Sequence, residues 1–117
     1  MPQPLSYMLW FEAEIWTPGA WTSADDNTDV IVTFEDGSRW FATFVSYANI
    51  QTLTQKNRQT GECLAGAYFW SCDMLLIDEI SRRRIDEVVR HLIEVGEFEM
   101  VFSHLPPAAP TADAAAE

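Results

Sequence analysis

Two alternating stretches on either side of Asp36-Gly37 constrain the fold of this chain more strongly than any other feature of its sequence. Residues 29–35 and 39–45 alternate side chains that suit a core with side chains that suit solvent, as half-buried β-strands do. The Asp-Gly pair between them favours the positive φ angles of a two-residue hairpin turn. We therefore predict an antiparallel hairpin. The cross-strand pairs expected on its core face are Phe34–Arg39, Val32–Phe41 and Val30–Thr43.

Two helices are predicted from capping residues and apolar spacing. Ser46 is a good N-cap for a helix that runs to about Gln59, with Gly61 as its stop. Ser81 caps the clearer helix, in which apolar side chains recur on one helical face until Gly96. These signals place one helix directly after the hairpin and the other in the last third of the chain.

Shorter patterns predict four further strands. Residues 7–17 alternate before Pro18-Gly19 and predict the first strand. After the first helix, the aromatic triplet 68–70 predicts a short strand, and the apolar run 74–77 predicts a strand in mid-sheet that is covered on both faces. Alternation over residues 98–102 predicts a last edge strand, for which a short helix is the alternative.

Together these elements predict a single α+β domain over residues 1–105. Its expected order is β-β-β-α-β-β-α-β, with a mostly antiparallel sheet of about five to six strands backed by two helices. Residues 106–117 are rich in Pro and Ala and hold no large apolar side chain, so we expect a disordered acidic tail there. With 117 residues, 48% of them apolar, the chain can form a core without support from a metal or a disulfide.

Charge is distributed very unevenly along the chain. All seven Lys and Arg residues lie between Arg39 and Arg90, whereas residues 1–38 carry seven acids and no base, and the net charge is −11. Such a field attracts cationic surfaces and opposes contact with nucleic acid and with anionic membranes. We therefore expect a basic protein partner, no direct binding to nucleic acid and no membrane association.

Acidic and tryptophan side chains in the first third of the chain are the candidate partner-binding residues. Large aromatics mixed with carboxylates suit a protein interface, because Trp anchors dominate binding hot spots. The alternative for the Trp residues, that they complete the core, has equal support from the sequence. The candidates are Glu12, Glu14, Asp25, Asp26, Asp29, Glu35, Asp36, Trp10, Trp16 and Trp21.

No motif of catalysis or cofactor binding accompanies these residues. Cys63 and Cys72, with His91 and His104, lack the clustered spacing of a zinc site, and two reduced thiols in the cytosol are the favoured interpretation. We predict no cofactor, no metal and no enzymatic activity. The chain begins without a basic segment ahead of an apolar stretch, so we expect no signal peptide and predict a cytoplasmic protein.

Two other functions remain open from the sequence. The segment from Glu62 to Asp73 crowds polar and aromatic side chains between two turns, which is compatible with a small ligand-binding domain or an enzyme. A raised carboxylate pKa in a deep pocket there would favour this alternative. The acids of residues 1–38 could instead mimic the phosphates of DNA and inhibit a nucleic-acid-binding protein, provided that they form a long regular array.

Short motifs spread over residues 28–102 carry a resemblance to a known group of proteins. They are DVIVTFEDGSRW at 29–40, YANI at 47–50, KN at 56–57, TGECL at 60–64, YFW at 68–70, DM at 73–74 and GEF at 96–98. In these motifs the chain resembles small, largely uncharacterised bacterial proteins that are similar to the immunity partners of secreted polymorphic toxins. The resemblance implies a protein that neutralises a basic toxin or effector domain, and it supplies no catalytic residue.

Overall fold

The computed structural model describes residues 6–15 and 21–106, and it has an α+β fold with a mostly antiparallel sheet of five strands and four helices. The strands are β1 (Tyr7–Phe11), β2 (Asn27–Phe34), β3 (Arg39–Ser46), β4 (Met74–Ile77) and β5 (Ser103–Leu105). The helices are α1 (Tyr47–Thr60), α2 (Glu62–Gly66), α3 (Arg82–Glu94) and α4 (Phe98–Val101), and a 3-10 turn, Glu12–Ile15, follows β1. The predicted tail lies outside the described residues, apart from Pro106.

The central strand of the sheet is β3. On one side, β1, β2 and β3 are consecutive antiparallel neighbours. On the other side, β3 pairs with two strands in turn. Its first residues, 39–41, pair antiparallel with β5, and its last residues, 43–46, pair parallel with β4. The two short strands therefore share one edge of β3.

Helix α3 covers one face of this sheet. Its side chains Ile85, Val89 and Leu92 are buried, as the predicted apolar stripe requires. They pack with inward-facing side chains of the strands and with two phenylalanines from the last segment. This core cluster comprises Phe11, Ala13, Val30, Val32, Phe34, Ala42, Phe44, Ile77, Ile80, Ile85, Val89, Leu92, Phe98 and Phe102.

Helices α1 and α3 begin at the N-caps that the sequence predicts. The Ser46 side chain accepts a hydrogen bond from the Asn49 backbone N–H, and Gly61, with φ +87°, follows the last residue of α1. In the same way, the Ser81 side chain accepts a hydrogen bond from the Arg84 backbone N–H. Each cap satisfies a donor that the first helical turn leaves without an intrahelical partner. Both helix predictions are confirmed.

The hairpin between β2 and β3 forms, but three residues, 35–37, connect its last hydrogen-bonded pair, Phe34 and Ser38, instead of the predicted two. Only Gly37 in this connection takes a positive φ, and its N–H donates to the Phe34 carbonyl. Asp36 does not take one, and its carboxylate accepts hydrogen bonds from the Ser38 backbone N–H and hydroxyl. The result is a turn that ends in a glycine bulge.

This extra loop residue shifts the strand register by one position. Val32 lies opposite Trp40, and Ile31 lies opposite Phe41. The predicted pairings Phe34–Arg39, Val32–Phe41 and Val30–Thr43 are therefore wrong. Because successive strand residues point to opposite faces, Trp40 lies on the core side of the sheet and Phe41 on the other side.

The first strand is shorter than predicted. It ends at Phe11, and the 3-10 turn that follows brings the Ala13 N–H to 2.8 Å from the Thr28 hydroxyl oxygen, where both residues are buried. The turn takes Glu12 and Glu14 out of the strand predicted over residues 7–17, so neither lies on a strand face with Trp10.

The predicted order β-β-β-α-β-β-α-β is not confirmed in the second half of the chain. Residues 68–70 form no strand within the described part of the protein. Residues 98–101 form α4, the alternative to a strand, since helical spacing brings Phe98 and Phe102 onto one face. Their rings stack in the core with centroids 4.4 Å apart.

The predicted backing of the sheet by two long helices is not confirmed. The core cluster takes side chains from α3 and the short α4, whereas the buried residues of α1 are the polar Asn49 and Asn57. Helix α1 contacts α2 and β3. The core side of the sheet is therefore backed by α3 and the short α4, and α1 contributes no side chain to the core cluster.

Helix α2 is a strained turn. Cys63, Leu64 and Ala65 have φ angles of +52° to +55°, a left-handed conformation that costs an ordinary residue about 1–2 kcal/mol. The turn contacts α1 at Gly66, where a Cβ atom would lie 2.7 Å from the Thr54 carbonyl oxygen. Glycine is required for this close approach, and packing against α1 offsets part of the strain.

Replacement of Ala65 by glycine tests the left-handed turn. Ala65→Gly should raise the free energy of unfolding by about 0.5–1 kcal/mol, because the strain that it removes exceeds the entropy that it adds to the unfolded chain. Ala67→Gly is the matched control, since Ala67 is also exposed but has a right-handed φ of −67°. It should lower stability by about 0.5–1 kcal/mol. Urea unfolding measures both, and equal losses would contradict the left-handed conformation.

Candidate protein-binding site

The sheet face turned away from α3, called the outer face here, carries large apolar side chains that do not belong to the core cluster. Met8 is 76% exposed, Trp10 and Leu76 are each 42% exposed, and Met74 is 36% exposed. Strand pairing defines the members of this face. They are Met8, Trp10, Asn27, Asp29, Ile31, Thr33, Arg39, Phe41, Thr43, Val45, Met74, Leu76, Ser103 and Leu105.

Strand register arranges the apolar side chains of the outer face in a row. Trp10 lies opposite Ile31, and Ile31 lies opposite Phe41. Side chains opposite each other on one sheet face have Cβ atoms about 4.5–5.5 Å apart, so these three form a continuous apolar strip across β1, β2 and β3. Val45 points to the same side but is buried, which limits the exposed area at the end where α1 begins.

Strand β4 extends the apolar area to the sheet edge. The prediction that β4 is covered on both faces is wrong, because Leu75 and Ile77 pack with the core while Met74 and Leu76 are exposed. An antiparallel sheet with one solvated face normally carries polar side chains on that face. A contiguous exposed apolar area instead indicates an interaction surface.

Two carboxylates border the apolar strip on the outer face. Asp29 accepts a hydrogen bond from the Thr43 hydroxyl at 3.1 Å, and Asp73 accepts one from the Ser103 hydroxyl at 2.5 Å. Arg39 is the basic residue of this face. Of the ten predicted partner-binding residues, the outer face brings together Trp10 and Asp29.

Asp25 and Asp26 have structural contacts in the loop before β2. Asp25 accepts hydrogen bonds from Asn49 and Thr52 in the first turns of α1, which lower the pKa of its carboxyl. Asp26 accepts hydrogen bonds from the Thr22 backbone N–H and from the backbone N–H of the following residue. The Asp25 carboxylate holds the loop against α1 and the Asp26 carboxylate stabilises the loop itself, so part of their hydrogen-bonding capacity is already used.

Glu14 joins the 3-10 turn to α3. Its carboxylate accepts hydrogen bonds from Nε and Nη2 of Arg82 at 2.7 and 2.5 Å. The same guanidinium donates to the Leu9 carbonyl at 2.8 Å. Arg82 also lies over the Phe11 ring, 5.3 Å from its centroid. This contact explains the arginine in the first turn of α3, where the helix dipole disfavours a cation.

The other predicted acids lie apart from one another. Glu12 is half-buried in the 3-10 turn, and Glu35 is exposed in the hairpin loop, where its N–H donates to the Ser6 carbonyl. Asp36, in the same loop, lines a cleft next to α4. The seven acids of residues 1–38 therefore form neither one cluster nor a double row.

The predicted tryptophans divide between core and surface. Trp21 packs edge-on against Phe11, with centroids 5.3 Å apart, and donates its indole N–H to the Ile80 carbonyl. It therefore completes the core, whereas Trp10 lies on the outer face. Trp16 is outside the described residues.

In the segment from Glu62 to Asp73, the exposure and the pKa of Glu62 do not suit a catalytic acid. Glu62 is exposed, and hydrogen bonds from Thr60 and Lys56 lower the pKa of its carboxyl, the opposite of a general acid. Residues 6–15 and 21–106 contain no group of three or more His, Cys, Asp or Glu side chains placed to hold a metal ion. No helix in the same ranges is long and apolar enough to span a membrane.

Comparisons of the chain with protein-family models, with curated proteins and with solved structures gave no match. The site must therefore be interpreted from its own geometry.

Sequence reasoning missed most of the apolar part of the outer face. Alternation in β2 correctly placed Ile31 on the face away from the core, but the two-residue turn put Phe41 on the wrong side. The apolar run of β4 has no alternation in hydrophobicity, so nothing in its residue types indicated that Met74 and Leu76 are exposed.

The Glu14–Arg82 contact predicts a specific pH dependence. Arg82 holds the pKa of Glu14 below its ordinary value of 4.5, so the stabilisation is present above that pH and is lost as the pH falls through the lower folded pKa. Since Glu14 and Arg82 are 34% and 49% exposed, Glu14→Gln should cost only about 0.5–1 kcal/mol at pH 7.

Chemical denaturation from pH 7 to pH 3 measures this effect. The difference between wild type and Glu14→Gln should shrink towards zero at the acid end. Glu12→Gln is the matched control, because Glu12 lies in the same turn and forms no ion pair with the described residues. If both variants show the same pH profile, the contact does not contribute in solution.

Proposed function

We propose that this chain is a non-enzymatic, acidic, cytoplasmic protein that binds and neutralises a basic protein partner, in the manner of the toxin-immunity proteins that its sequence resembles. The observation that carries the proposal is the outer face. It presents seven large apolar side chains, four of them exposed and three half-buried, next to carboxylates in a protein whose net charge is −11. They are Met8, Trp10, Ile31, Phe41, Met74, Leu76 and Leu105.

The apolar strip supplies the affinity in this proposal. When a partner covers the exposed apolar area of this sheet face and removes it from water, the complex is stabilised. Trp10 is at one end of the strip and is the anchor of choice, because tryptophan is enriched among the few residues that dominate interface energies. Asp29 and Asp73 border the strip and favour a partner with cationic groups around its own apolar area.

Net charge supplies the rate of association. A strongly acidic protein and a basic partner attract each other over about 8–10 Å at physiological salt, which raises the association rate and disfavours other acidic proteins. This effect does not require the acids to meet in one cluster. It is compatible with the structural roles of Glu14, Asp25 and Asp26.

The distribution of the acids favours this function over DNA mimicry. A mimic needs carboxylates in a long regular array along one face, since duplex DNA carries one charge per about 1.7 Å of axis. Asp29 lies on the outer face, whereas Glu14 is paired with α3 and Asp36 lies in the hairpin loop. A small enzyme is also less well supported, because the lowered pKa of Glu62 does not suit acid–base catalysis.

The proposal predicts that Trp10 is essential for binding and that Val95 is not. The probe is the protein encoded beside this chain in its genome, with its affinity measured by calorimetry. Trp10→Ala should weaken binding at least about thirtyfold, corresponding to the 2 kcal/mol or more of an interface hot spot. Val95→Ala is the matched control, because Val95 is 49% exposed and lies at the end of α3, which covers the other face of the sheet.

Salt and charge reversal test the electrostatic part. Raising NaCl from 50 to 500 mM should slow association more than it speeds dissociation. Asp29→Lys should weaken binding, and it is a better test than reversal at Asp25 or Asp26, which would break their contacts with the loop and α1. Equal effects of Trp10→Ala and Val95→Ala, or no effect of either, would contradict the outer face as the binding surface.

A further inference from the structure

A second surface feature lies on the core side of the sheet, opposite the outer face. It is a cleft of about 760 Å³ between the hairpin loop, the end of α3 and α4. Phe34, Trp40 and Phe98 form its aromatic wall, and the exposed Met100 stands at its rim. The outer face and the cleft share no residue.

The aromatic wall is held by ring contacts. The Trp40 ring lies 4.5 Å from the His104 ring with a tilt of 35°, and it meets Phe98 edge-on at 5.6 Å. Phe98 in turn meets the buried Phe34 edge-on at 5.4 Å. Trp40 remains partly exposed in this arrangement, so its indole is available to a ligand at little cost in side-chain entropy.

Two carboxylates give the cleft a negative charge, and its lining residues in the described part of the chain include His104 but no Lys or Arg. Asp36 is oriented by Ser38, whose backbone N–H and hydroxyl both donate to the same carboxylate oxygen, Oδ1, at 2.8 and 2.6 Å. The Oδ2 atom takes no part in these bonds. Glu99 in α4 supplies the second carboxylate from the other side of the cleft.

We infer that this cleft binds an arginine side chain of a polypeptide partner. An arginine has an apolar stem for the aromatic wall and a planar guanidinium, which stacks on an indole and donates two parallel hydrogen bonds to a carboxylate. The charge complementarity between a cation and the Asp36–Glu99 pair, in a protein of net charge −11, selects this occupant over an apolar or acidic one. The inference does not depend on the proposed function, because the outer face lies on the opposite side of the sheet.

Titration with a matched pair of peptides tests the inference. The probes are an acetylated and amidated alanine pentapeptide with one central arginine and the same peptide with citrulline, which keeps the shape of arginine but lacks its charge. Chemical-shift changes of the Trp40 indole N–H, recorded on the full chain, report occupancy. The arginine peptide should bind in the millimolar range, and the citrulline peptide should bind at least about tenfold more weakly.

Charge-neutral variants separate the cleft from the general field of the protein. Glu99→Gln and Asp36→Asn should each weaken binding of the arginine peptide about threefold, as expected for a partly exposed charge pair. Glu87→Gln removes the same charge from an exposed site outside the cleft and should have no effect. Glu99→Gln alone suffices if Asp36→Asn disturbs the hairpin loop.

Three results would overturn the inference. Equal binding of the arginine and citrulline peptides would show that the cleft does not recognise a cation. An equal loss in Glu87→Gln and Glu99→Gln would show that binding reflects net charge alone. Tighter binding of free arginine than of the peptide would show that the cleft takes a small molecule and not a segment of a polypeptide.

Discussion

The register between β2 and β3 is the constraint on which the rest of this structure depends. Side chains of a strand alternate between two faces, so a slip of one residue would exchange every inward side chain of β3 for an outward one. The three-residue connection, with the positive φ at Gly37 alone, places Trp40 on the core side and Phe41 on the outer face. The aromatic wall of the cleft and the apolar strip of the outer face both follow from this single choice.

A second constraint is that the amphipathic helix α3 covers only one face of the sheet. The buried side chains of α3 face the core, and polar contacts fix the edge strand beneath it. Tyr7 donates to Asp86 at 2.5 Å, and Arg82 bridges the Leu9 carbonyl and Glu14. These bonds turn the inward side of β1 to α3 and leave Trp10 on the opposite side. The exposed apolar area is thus a consequence of how the core is closed.

The parts of the fold with strong local signals could be predicted from the sequence. Helices α1 and α3 follow from Ser46 and Ser81 as N-caps, and β2 follows from its alternation. The hairpin loop could not be predicted in full, because the length of an Asp-Gly connection depends on whether Asp36 takes a positive φ or bonds to Ser38. The left-handed turn of α2 could not be predicted either, since its conformation depends on packing against α1.

The candidate site, like the fold, could be predicted from the sequence only in part. Trp10 and Asp29 were identified because their residue types and alternation place them on a strand surface. Composition cannot tell an acid that meets a partner from an acid that holds a loop, as Asp25 does, or pairs with a helix, as Glu14 does. That distinction rests on long-range contacts, and so does the choice between core and surface for Trp21.

Nuclear Overhauser contacts between the Hα protons of β2 and β3 test the register directly. The Phe34 N–H donates to the Ser38 carbonyl, so Ile31–Phe41 and Asp29–Thr43 are non-hydrogen-bonded pairs, with Cα atoms about 4.5 Å apart and Hα atoms in contact. The account predicts strong Hα–Hα cross peaks for both pairs. Cross peaks that link Val32 with Phe41 and Val30 with Thr43 instead would restore the two-residue turn and would contradict the placement of both binding surfaces.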